Sequence, residues 1–171
     1  MNNSLLPSLW RFLLLWVIQI FILQPIAETG GRWLTALVYP LFILFLPVTM
    51  PGSLAVLLGF GMGISIDIFY SSPGVHAGAS VFTAWFRTFL LQIMEPRGGF
   101  TGSQIPSVHY FGMAWFLRFS SIIMAMHLLV YYSLDAFSFV YVFSILQKTV
   151  VAFLLSMLFL LIYQQLFNPK K

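Results

Sequence analysis

GSLAVLLGFGMGISIDIFY (52–70), SSPG (71–74) and VHAGASVFTAWFRTFLLQIM (75–94) are the residues whose reading decides the fold. Each apolar arm is about 20 residues long, enough at ~1.5 Å per residue to cross a ~30 Å hydrocarbon core as a helix. Pro73-Gly74 suits the central positions of a tight turn. A run from Gly52 to Tyr70 and another from Pro73 to Met94 are therefore expected to form an antiparallel transmembrane hairpin. In the first arm Ala55, Gly59, Gly63 and Asp67 recur every four residues, so one face is small and ends in a carboxylate. Close helix packing is the preferred reading of the glycines, ahead of a ligand role. Asp67 sits about one turn from the outer helix end, where it is either solvated or buried and hydrogen-bonded.

In the second arm His76, Ser80, Thr83 and Arg87 fall within an arc of about 60° at 100° per residue. Such a polar stripe should face protein, not lipid. Counted from the turn at ~1.5 Å per residue, Asp67 lies about 6 Å deep and Arg87 about 20 Å, which argues against a direct ion pair. His76 lies near the level of Asp67, and these two with Ser71 and Ser72 are expected to form a polar cluster bracing the outer end of the hairpin.

Outward from the hairpin the pattern repeats. The chain has 171 residues, 60% hydrophobic and 7% charged, with mean hydropathy +0.96, a composition that excludes a soluble globular surface. Further apolar runs extend from about Ser8 to Ala27, Trp33 to Val48, Val108 to Ser133 and Ala136 to Phe167. The second is short and carries Pro40 and Pro47, so it is a kinked, tilted span or a re-entrant segment. Asp135 is expected in a minimal connection between the last two. The expected fold is thus an all-α membrane protein, a bundle of about six transmembrane helices forming one domain over residues 1–171.

With an even number of spans both termini share a side. That side would hold Arg11, Arg97, Lys170 and Lys171, against Arg32, Glu28 and Asp135 opposite, so both termini are expected in the cytoplasm. The longest loop, Glu95 to Ser107 and including Ser103, is then cytoplasmic, and its Gly and Pro content argues against a folded domain. Trp10, Trp33, Tyr39, Tyr70, Tyr110, Tyr131 and Tyr132 lie near expected helix ends, where amphipathic rings favour the headgroup level.

Arg87, Arg118 and Lys148 fall within expected spans with no evident counterion. They either snorkel to the headgroups or form a cationic pocket for a lipid phosphate or a partner's acidic residue. Snorkelling suits Lys148 least, about 13 residues from either end of a long sixth helix. Cys is absent, which removes disulfide and thiolate chemistry. Ser71 or Ser72 with His76 or His127 lacks a nucleophile-elbow or oxyanion pattern, and His76, His109 and His127 lack metal-ligand spacing. No catalytic residue, metal or cofactor is expected. The pI near 9.6 arises from scattered residues and does not point to nucleic acid.

The stretch Leu57-Leu58-Gly59-Phe60-Gly61-Met62-Gly63-Ile64-Ser65-Ile66-Asp67, followed by Ser71-Ser72-Pro73-Gly74-Val75-His76-Ala77 and Arg87, resembles the rod shape-determining protein MreD family. In that family a Gly-rich helix ending in Asp, a short turn and a His-Ala helix start form the recognisable core. The motif covers about a fifth of the chain, while length and the lack of soluble domains fit throughout. The Pro-containing second run and the Pro-Arg-Gly-Gly loop match no family pattern. The resemblance implies a non-enzymatic subunit of the bacterial elongation machinery in the cytoplasmic membrane. Its implied partners are an MreC-like scaffold, the MreB filament, the glycosyltransferase RodA and a penicillin-binding transpeptidase. It also implies a layout similar to the substrate-binding subunits of energy-coupling-factor transporters. The interaction residues would be Gly59, Gly63, Asp67, Ser72, Pro73, Gly74, His76 and Arg87. The alternative, from another class, is a small-solute or lipid-binding transport subunit with Asp67, Ser72, His76 and the basic residues lining its site.

Overall fold

The computed structural model describes residues 5–29, 35–102, 104–137 and 141–167. Arg32, Trp33, Ser103, Lys170 and Lys171, on which part of the loop, aromatic and charge expectations rests, lie outside them. The described chain is helical and contains no strand. Helix α1 (Leu5–Val17) passes through a π-helical turn (Ile18–Leu23) into α2 (Gln24–Thr29). Then follow α3 (Pro40–Leu44), α4 (Gly52–Tyr70), α5 (Val75–Ile93), α6 (Val108–Phe111), α7 (Met113–Ala136) and α8 (Val142–Phe167). The π turn has a local cause. Pro25 lacks an N–H and would crowd the carbonyl of Phe21 in a regular helix, and the widened turn, closed by Gln24 N–H to the Gln19 carbonyl, falls immediately before it.

Among the described residues four helical stretches are long and apolar enough to cross a membrane: Ser8–Thr29, Gly52–Tyr70, Met113–Ala136 and Val142–Phe167. Helix α5 matches α4 in length, 19 residues each, but carries the polar stripe, sheltered between α4 and α7. The expectation of six helices is corrected at the second run. Only Pro40–Leu44 is helical there, because Pro40 can begin a helix but not continue one and Pro47 stops it again. The rest of residues 35–48 is irregular. This segment starts beside Tyr132, near the end of α7, where Thr35 hydrogen-bonds the phenol. It ends where Val48 N–H donates to Gln104 O at 2.8 Å, in the loop preceding α7. It therefore runs the length of the bundle, as irregular backbone can because it advances up to ~3.3 Å per residue against ~1.5 Å in a helix.

This segment is also the core. Leu37, Tyr39, Leu41, Ile43, Leu44, Phe45 and Leu46 are each at most 1% exposed. Helices α1, α4, α5 and α7 pack around it, and α8 reaches it through Tyr163, whose ring lies 5.3 Å from that of Phe45. Against lipid the hydrophobic effect favours this burial little, so close packing and internal hydrogen bonding must hold it. Tyr39 is buried in this interior and bonded to His127 far from the end of α7, which corrects its assignment to a headgroup belt. Tyr131 and Tyr132 lie in the last turns of α7 as expected but are turned into the bundle, and Trp10, 63% exposed, is free to face the headgroups.

Other boundaries shift for local reasons. Helix α5 begins at Val75, not Pro73. The expected single helix from Val108 is broken at Gly112, whose φ of 78° and ψ of 164° only glycine adopts readily. Asp135 lies inside the last turn of α7, and α8 starts at Val142 instead of Ala136.

The expected hairpin of α4 and α5 is formed, and its crossing point is Gly63. A Cβ there would lie 2.4 Å from Ala77 Cα and 2.6 Å from the His76 carbonyl oxygen, so the two backbones touch. At Gly59 the approach is looser, 3.1 Å to the Ser80 carbonyl oxygen, and at Gly61 nothing lies within 4 Å. Gly63→Ala should thus lower stability by about 1–3 kcal/mol, as overpacking does, while Gly61→Ala leaves the unfolding midpoint unchanged or slightly raised. Thermal unfolding in mild detergent compares the two; equal midpoints would rule out the contact.

Candidate functional site

Asp67, in the last turn of α4, is 4% exposed and faces the start of α5. Its Oδ1 accepts the His76 backbone N–H at 3.0 Å and the Ser72 hydroxyl at 2.7 Å, while Oδ2 accepts the Ala77 N–H at 2.8 Å. His76 Nδ1 lies 2.9 Å from Oδ1 and, since the carboxylate only accepts, carries the proton that it donates. The logic is that of a helix cap supplied from a neighbouring helix. Gly74 at the N-cap of α5 has no side chain to offer the free N–H groups of the first turn, and Asp67 meets both that need and the positive end of the dipole. Of the four residues expected to cluster, Asp67, Ser72 and His76 come together. Ser71 instead ends α4 in the left-handed region, at φ 51°.

The arrangement is unlike a serine relay. The Ser72 hydroxyl lies 3.0 Å from His76 Nδ1, the nitrogen that also meets Asp67, whereas a relay needs hydroxyl and carboxylate on opposite ring nitrogens. The other nitrogen, Nε2, is buried and without a hydrogen-bond partner among the described residues. It belongs to a ring set among Tyr39, Tyr70 and Tyr131, with centroids 5.6, 4.8 and 4.9 Å away.

Deeper in the bundle lies a second polar chain. Thr83 donates to Ala79 O at 2.7 Å, so its oxygen is left to accept from His127 Nδ1 at 2.8 Å; His127 Nε2 then accepts from the Tyr39 hydroxyl at 2.8 Å. The order of donors fixes the neutral Nδ1–H form of His127. Sequence reasoning considered His127 only as a catalytic or metal residue and missed its tie to Tyr39.

Arg87, 1% exposed, donates through Nη2 to the carbonyl oxygens of Leu46 and, at 3.2 Å, Pro47. It serves the broken segment and not a three-residue cationic pocket, whose expectation is corrected. Arg118 is exposed near the start of α7, and Lys148 is half-buried about 9 Å from the start of α8. The two helices are antiparallel neighbours, so these residues sit toward opposite ends of the bundle, each within snorkelling reach of a headgroup layer. Lys148 looked central only while α8 was expected to begin at Ala136.

Further hydrogen-bond partners of the segment were not anticipated. Gln19, in the π turn and 1% exposed, accepts from Val38 N–H at 2.8 Å and donates to Ala36 O at 3.4 Å and the Tyr70 hydroxyl at 3.0 Å. Ser156 of α8 accepts from Leu37 N–H at 2.9 Å, and Arg11 donates to Phe45 O at 3.3 Å. The signal available was a polar residue stranded in an apolar run, opposite a stretch too rich in proline to satisfy its own backbone.

Comparison with protein-family models, curated proteins and solved structures yields no match. Fold and site define a class: an all-helical, multi-pass membrane protein whose interior polar groups serve to hold its own backbone together.

Asp67→Ala should destabilise by about 1–3 kcal/mol and speed hydrogen exchange at the His76 and Ala77 amides, with Asp67→Asn milder because Asn also caps. Unchanged amide protection in Asp67→Ala would remove the capping role. Gln19→Leu strands Val38 N–H and Ala36 C=O, at about 1–3 kcal/mol for each buried group. It should lower the unfolding midpoint more than Ser156→Ala, which strands one; the reverse order would contradict the assignment.

Proposed function

We propose that this chain is a non-catalytic subunit of the rod-shape and cell-wall elongation complex of a walled bacterium, of the MreD type. It acts as a scaffold or regulator through intramembrane contacts with an MreC-like protein and, through it, with MreB and the peptidoglycan synthases. The observation that carries this reading is local. The residues of the motif build one interlock: Gly63 admits Ala77, Asp67 caps His76 and Ala77, and Ser72 from the turn closes on the carboxylate. A Gly-rich helix, Asp, turn and His-Ala start thus form one physical unit, as a family signature would. The outward faces of α4 and α8 are apolar, with Leu57, Phe60, Ile64 and Ile68 on one and Phe143, Leu146, Val150 and Leu154 on the other. Those faces are what such a protein has to offer a partner helix.

If the broken segment counts as a sixth crossing, the parity is even, which agrees with the expectation of both termini on one side and of a layout like that of the energy-coupling-factor substrate subunits. Arg11, Arg87, Arg97 and Arg118 gather at the end of the Glu95–Ser107 loop, which favours that end as cytoplasmic. The carrier alternative draws no support from Asp67, Ser72 and His76, which bond one another. The cavities beside α5 lie at its other end, around Thr88 and Gln92.

Affinity purification of the tagged protein in mild detergent, followed by mass spectrometry of proteins and small molecules, tests the proposal. Recovery of an MreC-like protein and cell-wall synthases is expected; a stoichiometric small solute in their absence would replace the scaffold with a carrier.

A further inference from the structure

Arg87 is a permanently charged group, 1% exposed, whose ion pairing with a carboxylate is absent among the described residues. Its Nη2 meets two carbonyl oxygens, and its Nε is buried without a partner. Carbonyl dipoles alone leave such a charge poorly compensated in a low-dielectric interior. It nevertheless borders a cavity of about 240 Å³ together with Thr88, Gln92, Glu95 and Phe100. Glu95, just beyond the end of α5, is exposed at the rim. A second, larger cavity of about 500 Å³ shares Thr88 and Gln92 and continues between α4 and α5 along Val56, Trp85 and Phe89. Arg87 lies six residues from the end of α5, about 9 Å of helix inside the hydrocarbon edge, so a headgroup phosphate reaches it by entering the cavity.

Cation within, carboxylate at the rim and an apolar groove alongside describe a ligand of one kind. We propose that this composite site binds a zwitterionic glycerophospholipid with a primary amine, of the phosphatidylethanolamine class. Its phosphate meets Arg87, its ammonium meets Glu95, and an acyl chain lies along Val56, Trp85 and Phe89. A purely anionic headgroup satisfies Arg87 but faces the Glu95 carboxylate. A choline headgroup carries a cation that cannot donate a hydrogen bond to it.

The test is native mass spectrometry of the purified full chain with equimolar phosphatidylethanolamine, phosphatidylglycerol and phosphatidylcholine, and separately with inorganic phosphate. One phosphatidylethanolamine per chain is expected, preferred roughly fivefold over the other two, the scale of one ion pair in contact with water. Glu95→Gln should abolish the preference over phosphatidylglycerol, and Val56→Trp should reduce retention of all three lipids by filling the groove. Both positions lie outside the buried core, so folding is expected to survive, checked by the unfolding midpoint. Equal retention of the three lipids, a preference for phosphatidylglycerol, retention unaltered in Val56→Trp, or displacement of lipid by inorganic phosphate would each overturn the proposal.

Discussion

Everything in this bundle is arranged around a stretch of backbone that cannot satisfy itself. Residues 35–48 cross the interior with one short helix, α3, which Pro40 opens and Pro47 keeps from extending. Hydrocarbon offers no hydrogen bonds, so irregular backbone at membrane depth persists only if protein surrounds it and supplies the missing partners. Here the partners come from several directions: Gln19 from the π turn, Ser156 from α8, Arg11 from α1 and Arg87 from α5. Each ties a different helix to one central strand of chain. The segment is thereby both the weakest element on its own and the one that fixes how the others stand.

The hairpin of α4 and α5 answers a different difficulty with the same economy. A backbone contact at Gly63 brings the helices too close for side chains to mediate, so polar groups at the turn hold the pair in register. Asp67 is placed by α4 and used by α5, which makes the loop between them short and its geometry determined from both sides. The ring of His76, fixed by that carboxylate, lies against Tyr39, and Tyr39 is in turn bonded to His127. Hairpin and central segment are therefore one connected interior.

Much of this was legible in the sequence, and the residues show where legibility ended. Gly63, Asp67 and His76 could be placed because four-residue spacing and a tight turn are local rules, and local rules carry over into the fold. The polar stripe of α5 could be assigned to the interior for the same reason, and Arg87 is buried as that stripe requires. What occupies the other end of each hydrogen bond could not be read. Tyr39 was placed at a headgroup layer because an aromatic near a run's end usually sits there, but the run was not a helix. Gln19 and Ser156 gave no periodic signal, since each serves a carbonyl or N–H distant in sequence. Lys148 reads as deep when α8 is started at Ala136, six residues before its observed start at Val142, a difference of about 9 Å at ~1.5 Å per residue.

Arg87 shows how a structural task and a binding task can share one side chain. The carbonyls of Leu46 and Pro47 come from a segment that has lost its helical bonds, so a donor is required at that spot whatever else the protein does. Gln would serve the segment without bringing a charge into the bilayer, as Gln19 does at its other end by donating to Ala36 O and accepting from Val38 N–H. A guanidinium adds a charge that the carbonyls do not need and that the interior disfavours. The excess charge makes sense where it borders the cavity beneath Thr88 and Gln92, close enough to the headgroups for an anionic group to enter. A ligand bound there would reinforce the very contact that orders the central segment, because the guanidinium it holds in place is the one that holds Leu46 and Pro47. Lipid composition would then act on the stiffness of the core directly, without any moving part between them.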